Sequence, residues 1–402
     1  MRYRFLDLFA GCGGLGDGFE GSGRFEGVAH VEWERAPAQT LVRRLQSAWN
    51  YPDAPSRVFV ADVRSLTGIS DDPSLRIRRE WDHCLSAAGT IDVVIGGPPC
   101  QAYSVAGRVR DANGMHDDYR NFLFEAYVGL LRLVQPTAFI FENVPGMLSA
   151  APGGVSISDR VSRSFSDAGY AISHNLRDDA MFDVADFGIA QHRKRVIIVG
   201  FRKNCGFDAT KQVRTFYSTV RERRVATLVT AEEAIGDLPK LLPVYGVPGV
   251  SHASSAKSAD VLHIPRFHSA RDVEVFRMLA ADAATGGVRF GSVDARKALY
   301  TQVTGRVASI HKYHVILPSR PSNLIPAHLH KDGLRHIHWD SSQARSITAR
   351  EAARFQSFPD DYPFMGSRSD IYKMIGNAVP PKFSRILADV LFSSLSQIRR
   401  GV

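Results

Sequence analysis

Across its first 200 residues the chain alternates short β-branched or aromatic runs with longer helical patterns, and this alternation admits few folds. The strand candidates are Phe5–Phe9, Phe25–Val31, Val58–Val60, Ile91–Ile95, Thr137–Phe141 and Val196–Phe201. Between them lie helical patterns such as Asn121 to Val134, where Phe122, Phe124, Leu130, Leu131 and Val134 are apolar. Strand and helix in strict alternation predict an α/β fold, a doubly wound and mostly parallel sheet covered by helices on both faces.

After Phe201 the rhythm breaks. Gly236, Gly246, Gly249, Gly286, Gly287 and Gly305 are scattered among short apolar runs, and one helical pattern stands out at Ala270 to Ala284. Regular punctuation resumes with Arg350–Phe358 and a closing helix from about Lys382 to Ile398. With 402 residues and 44% hydrophobic content, the chain has material for more than one packed unit. The expected division is a main domain over 1–240, an irregular domain over 241–335, and a segment, 336–402, that returns to the first. The irregular stretch from Leu241 to Arg335 carries 12 Lys and Arg against 6 Asp and Glu, within a chain of formal charge +9. Such concentrated positive charge favours a polyanionic partner.

The four cysteines, Cys12, Cys84, Cys100 and Cys205, form neither C-x-x-C pairs nor a dense framework. That usage predicts a reducing cytoplasm and no zinc. The first strand candidate begins almost at Met1 and no apolar run reaches membrane-spanning length, so neither leader nor anchor is expected. His328, His330, His336 and His338 form two H-x-H pairs but lack Cys or acidic ligands at a supporting spacing. No metal is expected.

Four constellations carry chemistry. Gly11-Cys12-Gly13-Gly14-Leu15-Gly16 follows the first strand and opens a helix, with Glu32 ending the second strand 21 residues past Gly11. This is the dinucleotide-type fingerprint in its required context, and alone it would suit NAD, FAD or S-adenosylmethionine equally. Gly97-Pro98-Pro99-Cys100-Gln101-Ala102 leaves the strand at Ile95, so two prolines stiffen the arm that presents a thiol at the sheet's carboxyl edge. Glu142-Asn143-Val144 ends the neighbouring strand, where burial beside Phe141 and Val144 would favour a proton-holding carboxyl. In Gln191-His192-Arg193-Lys194-Arg195 alternation puts Gln191, Arg193 and Arg195 on one side, which would need anionic or carbonyl partners. The last three also have a plain structural reading: a buried small cysteine, a helix-capping glutamate, a solvated basic run.

Taken together and in this order, the motifs resemble the DNA cytosine-5 methyltransferases. Phe9-x-Gly11-x-Gly13 is similar to the family's cofactor loop, Gly97 to Gln101 to its nucleophile loop, Glu142-Asn143-Val144 to its acid, and Gln191-x-Arg193-x-Arg195 to its arginine strand. Arg345 to Gln356 and Ile375-Gly376-Asn377-Ala378-Val379-Pro380 match the two closing motifs. The resemblance brackets nearly the whole chain and leaves the basic stretch 241–335 where the family keeps its variable target-recognition domain. Departures are small: Ala190, Trp339 and Ala349 stand where other residues are common, and none is a reacting group.

The resemblance implies a Rossmann-like sheet that binds S-adenosylmethionine and releases S-adenosylhomocysteine. Phe9, Gly11, Gly13, Glu32, Trp33, Asp62, Pro98, Leu123, Asn377 and Val379 would line that pocket, Glu32 on the ribose and Asp62 near the adenine amine. Gln101 to about Arg120, with Ser104, Gly107 and Arg108, would close over DNA. Cys100 would attack C6 of a flipped cytosine, with Gln101 beside it, Glu142 on N3 and the amine, and Arg193, with Arg195 beside it, on the O2 side. Gln191, Arg306 and Lys312 would contact DNA. The implied partner is double-stranded DNA, with a cognate restriction endonuclease or defence protein sharing the site, and the implied location is the bacterial cytoplasm, on the nucleoid. Three alternatives remain open on sequence: an RNA-acting branch of the same family, a non-enzymatic DNA-binding relative, and a nicotinamide enzyme built on the glycine fingerprint.

Overall fold

Apolar runs that are buried at every position need cover on both faces, and two of them set the middle of the sheet. Val93–Gly96 (β4) and Ala138–Asn143 (β5) have no exposed residue. They extend a parallel array begun by Tyr3–Leu8 (β1), Phe25–Glu32 (β2) and Val58–Val60 (β3), in the spatial order β3-β2-β1-β4-β5. Tyr170–Ala171 (β6), Met181–Asp183 (β7) and Lys194–Arg202 (β8) complete the eight-stranded sheet, β8 lying antiparallel to β5, β6 and β7. This is a computed structural model, and it describes residues 2–66, 75–99, 123–151, 156–254, 260–307, 312–331 and 333–400. All six expected strands are present, each end within two residues of its expected position.

Among the described residues the helices of more than five residues are Gly14–Gly21 (α1), Arg35–Trp49 (α2), Leu75–Ala88 (α3), Leu123–Val134 (α4), Ile157–Asp167 (α5) and Ala209–Glu222 (α6), followed by those of the second half. These last are Ala270–Ala284 (α7), Val293–Thr304 (α8), Ala349–Phe355 (α9), Arg368–Asn377 (α10) and Pro381–Arg399 (α11). The main core joins the strands to α1, α4, α5, α6 and α11, with Phe19, Tyr127, Phe165, Phe216 and Leu387 all fully buried. α11 returns the end of the chain to its beginning. A Cβ on Gly18 of α1 would lie 2.6 Å from Ser384 Oγ, so the two helices meet backbone against side chain with no room between.

Two smaller cores lie beyond the sheet. One packs α9 and α10 against Ile316, Ile325 and Leu329, with Ala190 and Ile235. The other gathers Val273, Phe276, Leu279 and Leu299 of α7 and α8 with Tyr313, Ile337 and Ala344. A two-stranded hairpin, Leu241–Pro243 (β9) with His252–Ser254 (β10), stands beside them. Among the described residues no helix is long and apolar enough to cross a membrane.

The order of the strands fixes where chemistry can occur. From β1 the chain steps outward to β2 and β3, then β4 and β5 are added on the opposite side of β1. The crevice at the carboxyl ends of β1 and β4 is therefore the topological switch point, the place where such sheets bind ligands.

Candidate functional site

At the carboxyl end of β1 the backbone turns sharply. Phe9, Gly11 and Gly13 all lie in the left-handed region, at φ 58°, 57° and 97°. Glycine takes this conformation freely, whereas Phe9 is held there by its surroundings. Glu32, at the end of β2, closes the turn: Gly11 N donates to its Oε2 at 2.8 Å and Glu34 N to its Oε1 at 2.7 Å. Burial raises the pKa of this carboxyl, opposed by those two donors.

The loop has a tight side and an open side. A Cβ on Gly13 would sit 2.6 Å from Leu41 Cδ1 and one on Gly14 2.5 Å from the Val379 carbonyl, whereas a Cβ on Gly11 would meet nothing within 4 Å. The open side at Gly11 is a backbone cradle of the kind a nucleotide-like ligand fills. Trp33, directly after Glu32, is 60% exposed, an unusual state for an indole and a suitable one for a ring that covers a ligand. Pro98, Leu123 and Val379 are buried and Asn377 is exposed. Asp62 caps the turn that follows β3, and both of its oxygens receive Arg64 Nε, at 3.1 and 2.9 Å. Arg64 therefore already shares the carboxylate expected to serve an adenine amine.

At the ends of β4 and β5 the site becomes polar. Glu142 Oε1 is paired with Arg195 Nε at 2.8 Å, and a Cβ on Gly97 would lie 2.6 Å from Glu142 Oε2. One oxygen of Glu142 thus meets a guanidinium and the other rests on the backbone of the Gly-Pro-Pro arm. Asn143 Nδ2 donates to Pro98 O at 3.4 Å, a second tie between the same two strand ends. Glu142 therefore has a guanidinium partner that its apolar sequence neighbours, Phe141 and Val144, did not signal. Cys100 follows three residues after Gly97; with Gln101, Ser104 and Arg108 it lies outside the described residues.

The alternation expected at Gln191 to Arg195 is present: Gln191 and Arg193 are buried, Arg195 half-buried, and His192 and Lys194 exposed. Two destinations differ from expectation. Gln191, expected at DNA, is fully buried; its Nε2 donates to Phe355 O and Gln356 Oε1, and its Oε1 accepts from Ile325 N. Every polar atom of the amide is used inside the protein. Arg193, expected at the O2 side of cytosine, is 1% exposed and spends its two terminal nitrogens on the carbonyls of Ile325, Gly376 and Ala378. Burial, with repulsion from Arg195, holds its pKa well below the usual arginine range. The arginine on the acid is Arg195.

Arg306 is exposed, and Lys312 is half-buried with an interaction of its own. His336 and His338 are buried on backbone partners: His336 Nε2 meets Leu324 O at 3.0 Å, and His338 Nδ1 accepts from Asp340 N at 3.0 Å. Among the described residues no three metal-ligating side chains gather. Sequence reasoning missed the groups that tie the second half of the chain to the site. Tyr362 OH donates to Cys12 O at 2.6 Å, and Lys373 Nζ reaches Glu34 Oε1 at 2.6 Å. More than 300 residues separate the partners in each case, so no local spacing could have signalled them.

Comparison with known proteins places these features in context. The sequence profile of the C-5 cytosine-specific DNA methylase family matches residues 3–393. The type II methyltransferase M.Bpa9945I of Bacillus paralicheniformis is 32% identical, with 95% of this chain and 97% of that protein covered. M.AgeI of Thalassovita gelatinovora is 29% identical, over 97% and 99%. Among solved structures, a protein described as a DNA modification methyltransferase encoded within an E. coli prophage superposes with a TM-score of 0.65 at 22% identity, covering 98% of this chain and 99% of that one. The Dnmt2 methyltransferase of S. pombe does so with 0.57 at 14%, covering 98% and 100%.

Proposed function

Since the chain belongs to the C-5 cytosine-specific DNA methylase family and is an S-adenosylmethionine-dependent DNA methyltransferase, we propose that it methylates C5 of a flipped-out cytosine through a transient bond from Cys100. The observation that carries this reading is the Glu142–Arg195 pair seated on Gly97, at the strand end that feeds Cys100. Cytosine C5 is too weak a nucleophile until a thiolate adds to C6. The developing charge on the ring needs a fixed counterpart, and Glu142, held by Arg195, is placed to hydrogen-bond N3 and the exocyclic amine. Arg195 also supplies the positive field on the O2 side that Arg193, spent on carbonyls, does not. After methyl transfer a base takes the C5 proton, and its electron pair re-forms the C5–C6 double bond as the C6–S bond breaks and Cys100 leaves as thiolate.

The open side of the Gly11 loop, Glu32 and the exposed Trp33 fit the methyl donor: backbone for the methionine part, a carboxylate for ribose hydroxyls, an indole for adenine. Phe9, Gly13, Asp62, Pro98, Leu123, Asn377 and Val379 would complete that pocket. When bound, S-adenosylmethionine supplies a methyl group activated on sulfonium. Gln101, Ser104 and Arg108 would act on the DNA side of Cys100, and Arg306 and Lys312 on phosphates. Residues 241–335 would form the target-recognition domain. The curated relatives are type II methyltransferases, which supports a restriction-modification role with an endonuclease of the same specificity, in a bacterial cytoplasm.

Cys100→Ala tests the covalent step. The variant is expected to bind S-adenosylhomocysteine as the wild type does and to lose both methylation and covalent capture by a 5-fluorocytosine duplex. Retained turnover would defeat the mechanism.

A further inference from the structure

Three backbone segments are stacked closely beside the site. A Cβ on Gly376, in the last turn of α10, would lie 2.5 Å from Ala327 Cα, so the 325–327 segment and the end of α10 touch directly. On the other side, Val379 O and Ala378 Cβ lie so close to Gly14 that a Cβ there would be 2.5 and 3.0 Å from them. The 376–379 segment is therefore the middle layer between Ile325–Ala327 and the glycine loop.

One side chain pins this middle layer. Arg193 Nη1 donates to Ile325 O at 3.1 Å, and its Nη2 to Gly376 O at 2.8 Å and Ala378 O at 3.0 Å. Gln191, two residues earlier on the same face, holds Ile325 N and, through Gln356, whose Nε2 donates to Ile375 O at 2.6 Å, the end of α10. Arg193 Nε is buried with no hydrogen-bond partner among the described residues. A buried cation with carbonyl partners alone is costly, and a planar fork that reaches two segments at once is what distinguishes arginine from other cations.

We propose that Arg193 is a positioning residue for the cofactor and does not touch cytosine: it fixes the Gly376–Val379 segment against the Gly11–Gly14 loop. This rests on the reading above that Asn377, Val379 and the glycine loop line the S-adenosylmethionine pocket. Two arginines of one motif, two residues apart, then have separate tasks, Arg193 on the cofactor side through backbone carbonyls and Arg195 on the cytosine side through Glu142.

The test is calorimetric titration of S-adenosylhomocysteine, without DNA, into wild type, Arg193→Lys and Arg195→Lys. Lysine keeps the charge and loses the fork. Arg193→Lys is expected to weaken binding about tenfold or more and to raise the KM for S-adenosylmethionine, with kcat at saturating donor little changed. Arg195→Lys is expected to bind as the wild type does and to lose kcat. Wild-type affinity in Arg193→Lys overturns the proposal, as does a lost kcat with an unchanged KM. If the wild type itself fails to bind, the underlying pocket assignment is wrong instead. Should Arg193→Lys not fold, Gln356→Met removes a tie to the same segment and is expected to weaken binding in the same assay; unchanged affinity there counts against the proposal.

Discussion

Glu142 shows what a single residue's position depends on. Its carboxylate is drawn by Arg195 on one side and stopped by the bare backbone of Gly97 on the other. A Gly97→Ala change would put a methyl group 2.6 Å from Oε2 and push the carboxylate off its seat. The expected outcome is a fall in kcat of about tenfold or more with S-adenosylhomocysteine affinity intact, read by steady-state kinetics beside titration. Glu142→Gln keeps the shape and removes the charge, and should cost about a hundredfold or more in kcat, the scale of losing one group aimed at developing charge. The placing of Glu142 beside the arm that leads to Cys100 was legible in sequence because the carboxyl ends of neighbouring parallel strands share an edge, whereas Arg195 reaches that edge from the amino end of the antiparallel β8. The destinations of Gln191 and Arg193 were not. Alternation gave their direction correctly, but their partners are carbonyls and amides contributed from Ile325 to Ala378, which no short-range pattern reveals.

At the scale of elements, legibility follows length and burial. β4 and the first four residues of β5 are apolar and could be read at once, as could α7 and α11, because apolar runs and long periodic patterns dominate local propensity. β6 and β7, two and three residues long, carry too little pattern to be seen, and the antiparallel direction of β8 is set by pairing alone. α9 shows how a short helix is secured. Thr348 and Glu351 form a reciprocal capping box, and Arg345 grips Glu351 through two bonds of 2.7 Å, all of it buried. The Arg345 guanidinium holds the Glu351 carboxyl well below the usual range, at about 2. Thr348→Ala removes one half of the box and should cost about 1 kcal/mol or somewhat more in denaturant unfolding. A value within error of zero would mean that the Arg345 pair alone fixes the helix start.

The molecule as a whole carries a built-in acid dependence. His268, His336 and His338 are buried, and burial lowers each to a pKa of about 3. Two of these rings already accept a backbone N–H on one nitrogen, Ser346 N on His268 Nε2 and Asp340 N on His338 Nδ1, so an added proton would face a donor. In the unfolded chain the same histidines take up protons near pH 6.5, and more protons bound by the unfolded state means stability falls as pH falls. The contribution is complete above about pH 6.5 and is lost progressively as pH drops from there towards about 3. Melting temperatures measured between pH 7.5 and 4.5 should fall steadily across the lower half of that range, and His336→Gln should flatten the slope by up to one proton. The basic charge acts at the same scale. Arg306→Ala should lower the salt dependence of DNA binding by about one unit of log–log slope, as removal of one phosphate contact does.

The most direct test of the central claim is nucleoside mass spectrometry after incubating the protein and S-adenosylmethionine with unmethylated duplex DNA, with tRNA in parallel. The account predicts new 5-methylcytosine in the DNA, absent with Cys100→Ala and with Glu142→Gln much reduced. Methylation of tRNA alone, or of neither nucleic acid, would contradict it.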